Sequence, residues 1–350
     1  MANECRESVR PTIALAMGDP AGVSPELLAR LLAEKDVTAS ARIVIFGDRR
    51  ILDGGAEVAG VSLDIDTVAE EAQVPAEQVP AGQVPAEPAR PVLVDLKNLD
   101  PKDVTPSTAT LAGGRFATEN FRRALLCAAA GKAHAVMFTP FNKKAMRFAY
   151  PAYDDEIRFI SDTLKDDSPA REFNVLDQLW NARVTSHIPL SEVANAITAD
   201  AILRNLSLAD SCMRAAGFAR PRIAVAGLNP HAGDGGNFGR EEIDVIEPAV
   251  NEAIRRGYAA EGPFPADTVF LRAKRGDFNA VLTMYHDQGQ IAMKLMGFDR
   301  GVTLVGGYSF PICTPAHGTA YDIAGKGIAN VGATRQAMLL AIRMASRARA

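Results

Sequence analysis

The sequence predicts an α/β protein of two lobes with largely parallel sheets. Short apolar runs alternate with helix-patterned stretches, the signature of βαβ units. At 350 residues the chain is more than twice the length of a common domain of roughly 150 residues. The segments richest in candidate chemistry each follow an apolar run, where open α/β sheets place their sites.

Thr12 to Met17 reads as a buried first strand, closed by the turn Gly18-Asp19-Pro20. Ser24 is a candidate N-cap, with Pro25 in the first turn of a helix that carries Leu27, Leu28, Leu31 and Leu32. Arg42 to Phe46 is a second strand. From Gln73 to Glu87 the unit QVPA recurs at Gln73, Gln78 and Gln83, and its prolines exclude helix and central strand, which leaves an extended surface loop. The alternation resumes with strand Val92 to Val94, helix Phe116 to Ala130 and strand Ala133 to Phe138. Further on, helices are expected around Asp155 to Leu164, Ala201 to Ala215 and Arg240 to Arg256, with a strand at Arg183 to Ser186. The stretch Ala333 to Ala348 is a terminal helix. The expected lobes are 1–139 with 302–350, and 140–301, the second carrying the metal-binding and dimerising surfaces.

Hydrophobic residues make up 47% and charged residues 23%, an ordinary globular composition. With a net charge of −4 and no basic stripe, nucleic acid is not an expected partner. No apolar run is long enough to span a bilayer, and the first residues lack the apolar core of a signal peptide, so a cytoplasmic protein is expected. Cys5, Cys127, Cys212 and Cys313 are far apart and form no Cys-x-x-Cys pair, as suits reduced thiols.

Three of the five histidines stand in short polar segments: TSHIPL at His187, NPHAGDGGNFGREE at His231 and MYHDQGQ at His286. Asp267, in PADTVF, lies between the last two. Imidazoles with a carboxylate are the ligand set of a catalytic divalent ion. One such histidine alone would read as structural; three in matched settings read as a metal site. Zinc is the first expectation for the single ion, although cobalt, nickel and manganese suit the same donors.

These segments together resemble the 4-hydroxythreonine-4-phosphate dehydrogenase (PdxA) family, including its catabolic relatives. The resemblance runs from Met17-Gly18-Asp19-Pro20-Ala21-Gly22 through Pro140-Phe141-Asn142-Lys143, His187-Ile188-Pro189-Leu190 and Asn229-Pro230-His231-Ala232-Gly233. It ends in Tyr285-His286-Asp287-Gln288-Gly289 and His317-Gly318-Thr319-Ala320, leaving out only the QVPA segment. It implies a two-lobed fold of the isopropylmalate dehydrogenase type and a homodimer with its sites at the subunit boundary. It also implies a metal bound by His187, His231 and His286, the first supplied by the partner. The implied reaction oxidises a secondary alcohol with transfer of hydride to a nicotinamide. Lys294, Asp287 and Asp267 are then the candidate catalytic residues.

No Gly-x-Gly-x-x-Gly follows a strand, so a Rossmann site is unsupported. The segment His317 to Asn330 instead resembles the adenosine-binding loop of isopropylmalate and isocitrate dehydrogenases. The resemblance places His317, Gly318, Asp322 and Asn330 at the cofactor, with Asp322 facing the ribose 2′ position. A carboxylate there accepts from a hydroxyl and repels a phosphate, which favours NAD.

The resemblance breaks where phosphate-using members hold their substrate. Glu156 and Ile157, within Asp154 to Phe159, stand in place of a His and a Thr, and Thr303 and Ile312 in place of an Asn and an Arg; Lys294 is kept. Phosphate calls for cationic and hydroxyl donors. These departures lead to the expectation of a terephthalate-type cis-dihydrodiol as substrate, oxidised and decarboxylated to protocatechuate. Arg158 would hold its far carboxylate, or else be a helix-surface arginine paired with Asp154 or Asp155 at helical spacing. The alternative is 4-hydroxythreonine-4-phosphate dehydrogenase, or a related phosphorylated hydroxy-acid dehydrogenase. A non-catalytic metabolite-binding protein is the remote one.

Overall fold

A computed structural model describes residues 10–74 and 90–348. The chain opens with β1 (Thr12–Ala16), α1 (Ser24–Ala33), α2 (Lys35–Ser40), β2 (Arg42–Gly47), α3 (Arg49–Ala59), β3 (Asp66–Val68) and β4 (Val92–Asp95). There follow α4 (Leu111–Ala129), β5 (Ala135–Phe138), α5 (Lys143–Ala149) and α6 (Glu156–Leu164). Next come β6 (Arg171–Leu176), β7 (Leu179–Arg183), α7 (Leu190–Ala196), α8 (Ala199–Ala215), β8 (Arg222–Ala226), α9 (Glu247–Arg255) and β9 (Ala259–Phe264). The rest is α10 (Ala266–Lys274), β10 (Ala280–Thr283), α11 (His286–Gly297), β11 (Val302–Gly306), β12 (Ile312–Pro315) and α12 (Gly332–Arg347).

The chain divides into two compact units, residues 1–170 with 308–350, and 171–307. In the first unit the strand order is β3-β4-β2-β1-β5-β12, every pair parallel. β1 is buried along its whole length because helices cover both faces of such a sheet. In the second unit the order is β11-β6-β7-β10-β8-β9. Its β7, β10, β8 and β9 are parallel, while β6 runs antiparallel to both β7 and β11. The α/β class with mostly parallel strands is as expected. The β6-β7 hairpin was not read, because its turn carries no glycine: Asp177 takes the left-handed conformation instead (φ 54°).

The unit boundary falls at Ala170, not near residue 139. Residues 140–170 stay with the first unit through an aromatic cluster. Phe141 stacks on Phe138 with centroids 4.6 Å apart, and Phe159 stacks on Phe121 at 5.5 Å. Other details also differ. Ser24 does not cap α1; Val23 holds that place, and Ser24 Oγ donates to the Pro140 carbonyl at 2.8 Å. Helix α4 starts earlier than expected because Thr110 caps it, its Oγ1 accepting from Gly113 N. The strand expected at Arg183 to Ser186 lies earlier, as β7. Of the QVPA segment only Gln73 and Val74 fall within the described residues.

Cys127, Cys212 and Cys313 are buried and in no disulfide, and burial pushes the thiols of Cys127 and Cys212 up to about 12. Among the described residues no helix is long and apolar enough to cross a membrane.

Candidate active site

The four proposed metal ligands all lie just past the C-terminal ends of neighbouring parallel strands. His187 follows β7, His286 follows β10, His231 follows β8 and Asp267 follows β9. Parallel strands side by side deliver their following loops to one edge of the sheet, the usual place for chemistry in this class. Gln288 ties two of these loops together: its Oε1 accepts from Met284 N at 2.7 Å and its Nε2 donates to the Gly227 carbonyl at 2.9 Å.

The rings of His187 and His286 stand 5.8 Å apart, centroid to centroid. With each imidazole nitrogen about 2 Å from a zinc ion, two coordinating rings stand about 5–6 Å apart, so this pair fits one ion. His286 Nδ1 meets Asp287 Oδ1 at 2.7 Å. That contact occupies Nδ1, so Nε2 is the nitrogen left to offer a ligand, with the Asp287 carboxylate orienting the ring.

His231 sits in a backbone turn of the wrong hand. His231, Ala232 and Asp234 have φ of 54°, 52° and 45°, and Gly233 and Gly235 continue the left-handed run. Non-glycine residues adopt this conformation at a cost of about 1–2 kcal/mol each, so the turn persists only because its surroundings hold it. Helix α10, with Asp267 exposed in its first turn, packs beside this turn. Yet among the described residues no group of three or more His, Cys, Asp and Glu side chains could hold a metal. One chain thus holds a His187–His286 pair and, separately, His231 near Asp267. Within one chain His187 stands beside His286, whereas the resemblance sets it apart from the other two histidines as the partner's ligand. The donor chemistry of the pair fits a divalent ion.

Lys294 is exposed on α11, two turns beyond His286, with its ammonium 5.9 Å from the centre of the Phe298 ring. Thr303 lies half-buried in β11 opposite Asn174. Ile312 is fully buried in β12 opposite Val136, as a core residue of the sheet. Asp155 caps α6, its carboxylate accepting from Arg158 N at 2.9 Å. Arg158 is half exposed, and its Nε donates to Asp162 Oδ2 at 2.8 Å, a surface pair one helical turn apart. Glu156 Oε2 lies 3.9 Å from Lys143 Nζ, and the Ile157 carbonyl accepts from Tyr308 OH at 3.3 Å. The side chain of Arg158 thus pairs with Asp162, and not with Asp154 or Asp155 as the helix-surface reading expects.

The loop from His317 to Asn330 is fastened from behind. Tyr321 OH donates to Asp19 Oδ2 at 2.6 Å, and Ser107 Oγ donates to the Tyr321 carbonyl at 2.6 Å. Val23 N donates to the Thr319 carbonyl at 3.0 Å, and Ala329 N to Glu26 Oε1 at 2.9 Å. The turn at Gly22 must be glycine, since a Cβ there would stand 2.6 Å from the Thr319 carbonyl oxygen. Burial raises the pKa of both Asp19 and Tyr321 above their ordinary values. The sequence reading missed this pair; an aspartate before proline and a tyrosine in a glycine-rich loop give no pairing signal. Behind the loop lies a cavity of about 280 Å³ lined by Pro20, Gly22, Ile51, Gly54, Pro106 and Gly325.

His317 Nδ1 faces the Gly318 carbonyl at 2.9 Å, and its Nε2 is buried with no partner among the described residues. The imidazole is thereby held neutral, with burial pushing its pKa down. Asp322 and Gly318 are exposed, and Asn330 Oδ1 accepts from Gly332 N at 2.8 Å. A buried lone pair and an outward carboxylate fit a nucleoside that offers hydroxyl or amino donors.

The sequence profile described as "Pyridoxal phosphate biosynthetic protein PdxA" matches residues 39–341. A relative from Rhizobium meliloti (strain 1021), named "Putative 4-hydroxythreonine-4-phosphate dehydrogenase 2", is 64% identical over 97% of this chain and 95% of its own. A crystal structure of 4-hydroxythreonine-4-phosphate dehydrogenase from Klebsiella pneumoniae is 31% identical, with a TM-score of 0.81 over 97% of this chain and 99% of its own. A terephthalate 1,2-cis-dihydrodiol dehydrogenase from Burkholderia xenovorans LB400, aligned over the same shares, is only 27% identical, with a TM-score of 0.62. This ranking overturns the expectation of a terephthalate dihydrodiol substrate, and it gives no support to decarboxylation or to a place in aromatic catabolism. The physical premises had also weakened, since Ile312 is core and Arg158 is paired on its own helix.

Proposed function

From the premise that this chain belongs to the PdxA family, we propose that it is an NAD-dependent dehydrogenase. It oxidises the secondary alcohol of 4-hydroxythreonine-4-phosphate, or of a closely related phosphorylated hydroxy acid. The observation that carries this reading is the 64% identity, over nearly the whole chain, to a relative bearing that name.

His187 and His286 would hold a divalent ion, zinc first among the candidates, with His231 and Asp267 completing the set. The bound ion lowers the pKa of a coordinated hydroxyl, and the nicotinamide accepts the hydride. Asp287 keeps the His286 ring turned so that Nε2 faces outward. Lys294 supplies a cation for the reacting oxygen or its neighbouring carboxylate. His317 and Asp322 hold the adenosine end, Asp322 accepting from a ribose hydroxyl. Glu156 and Ile157 bear on where the phosphate is held, since Glu156 lies beside Lys143 on the preceding helix.

The enzyme is proposed to work as a homodimer in which each ion takes His187 and His286 from one chain and His231 from the other. The pairing in one chain and the lack there of a set of three support this division. Leu190 (70%), Ile291 (59%) and Leu295 (83%) are exposed apolar side chains on the helix that follows His187 and on the helix that His286 begins.

The test is an assay of NAD reduction by the purified chain with 4-hydroxythreonine-4-phosphate and a divalent metal. Metal-dependent NADH formation is expected. No turnover of this substrate, in protein that binds both metal and NADH, would overturn the substrate assignment.

A further inference from the structure

We propose that Glu242 is a positioning residue for the metal centre, aiming His231 through the backbone that leads to it. The inference rests on the reading of His231 as a metal ligand.

Glu242 is 2% exposed, a carboxylate inside the protein at the start of a π-helical turn, Glu242–Ile246, that runs into α9. Such turns often mark functional sites. Its Oε1 accepts from two consecutive amides, Leu228 N and Asn229 N, each at 2.7 Å. Its Oε2 accepts from Asn229 Nδ2 at 2.9 Å, and the same Nδ2 also reaches Glu241 Oε2 at 2.7 Å. The carboxylate is thus embedded in donors from the segment that precedes His231.

The backbone is shaped around this group. A Cβ on Gly233 would stand 2.7 Å from Glu242 Oε2, and one on Gly227 would stand 3.0 Å from Oε1. One Cβ on Gly239 would stand 2.3 Å from Asn229 Nδ2. Glycines on both sides of His231 therefore let the chain close on the carboxylate. Once the peptide planes at 228 and 229 are held, Pro230 has its φ locked by its ring. Few torsions then remain between the anchor and the left-handed His231. The run from His231 to Gly235 is intrinsically disfavoured, and Glu242 is what holds its entry. Carboxylates that orient metal ligands usually grip the imidazole itself; this one acts on the main chain.

The experiment measures zinc affinity of the full-length protein by competition with a chromophoric chelator, using zinc ion alone. It compares the wild type with His231→Ala, Glu242→Ala and Glu242→Gln. Amide hydrogen exchange of each metal-free protein is followed alongside. Glu242→Ala should lower zinc affinity about 10–100-fold, as losing a partner that orients a ligand does. It should also speed exchange at residues 228–236 while the strands of the second unit keep their protection. Glu242→Gln should lose clearly less affinity than Glu242→Ala, because its carbonyl still accepts from both amides even though the contact with Asn229 Nδ2 is lost. Should Glu242→Ala fail to fold, Glu242→Asp replaces it; one methylene shorter, it must lose affinity too. Wild-type affinity in the folded Ala or Asp variant would overturn the inference. Equal losses in the Ala and Gln variants would also overturn it, since charge and not the accepted amides would then be what the ion feels. Unchanged zinc binding by His231→Ala would instead remove the metal reading, and this inference with it.

Discussion

Within a single chain the rings of His187 and His286 stand 5.8 Å apart, on loops leaving the adjacent parallel strands β7 and β10. Neighbouring strands delivered them to one place, and no third His, Cys, Asp or Glu joins them in a set able to hold an ion among the described residues. This division of ligands predicts which pairs of dead mutants can rescue each other. Mixed dimers of His231→Ala and His286→Ala chains contain one intact site and should regain part of the wild-type activity. Mixed dimers of His187→Ala and His286→Ala chains lose a ligand at both sites and should stay inactive. The reverse pattern, with hybrids shown to form, would mean that His187 is the ligand that crosses.

Chelation should abolish turnover reversibly. Dialysis against a strong chelator removes an ion held by imidazoles and carboxylate, and adding back zinc, cobalt or manganese should restore activity to differing degrees. The circular dichroism spectrum should hardly change, because both sheets are built from apolar strands that owe nothing to the ion. Full activity in protein shown to be metal-free would exclude the ion from the reaction.

The legible part of this molecule was its periodic part. β1, β2 and β5 are short apolar runs with turn residues at their ends, and the α/β class with parallel strands follows from such runs. What escaped was tertiary. The aromatic cluster of Phe121, Phe138, Phe141 and Phe159 moved the unit boundary to Ala170, and stacking between distant rings has no sequence period. Glu242 looked like one charge among several in GREEIDVIE, although it is nearly inaccessible and anchors the His231 loop. The substrate reading failed for a related reason: an aligned position such as Ile312 says nothing of whether its side chain faces a ligand or the core.

Arg158 and Ile312 should accordingly behave as surface and core. Arg158→Ala breaks an exposed, solvent-screened pair one helical turn apart, and should leave KM for the substrate within about twofold. Ile312→Ala should destabilise the protein by about 2–5 kcal/mol, read from denaturant unfolding, without changing KM in what remains folded. A large rise in KM for Arg158→Ala alone would return that residue to the substrate.

Cofactor choice should turn on Asp322. Its carboxylate is exposed in a loop otherwise anchored by Tyr321 and Ala329, so its replacement leaves the loop in place. Asp322→Ala should raise KM for NAD and lower it for NADP, because removing the charge relieves the repulsion of a 2′-phosphate. An unchanged ratio of kcat/KM for the two cofactors would take Asp322 away from the ribose.

His317 should make cofactor binding and stability sensitive to mild acid. Its Nδ1 proton faces the Gly318 carbonyl, which leaves Nε2 as a buried lone pair. Protonation would place an unpaired cation there, and burial accordingly holds the folded-state pKa below the ordinary 6.5. The sign follows from linkage. A depressed folded pKa contributes stability that is fully present above the unfolded value and is lost as pH falls through the folded one. The unfolding free energy of the wild type, measured against His317→Asn, should thus be level above pH ~6.5 and fall below it, by at most about 1.4 kcal/mol per pH unit for one proton. NADH affinity should weaken over the same range, since an unpaired cation at the buried Nε2 loosens the loop that would hold the adenosine, and His317→Asn should lose that dependence. A difference in stability that stays flat from pH 8 to pH 5 would mean that Nε2 is hydrated and not sealed, and the account of His317 as a neutral acceptor would fail with it.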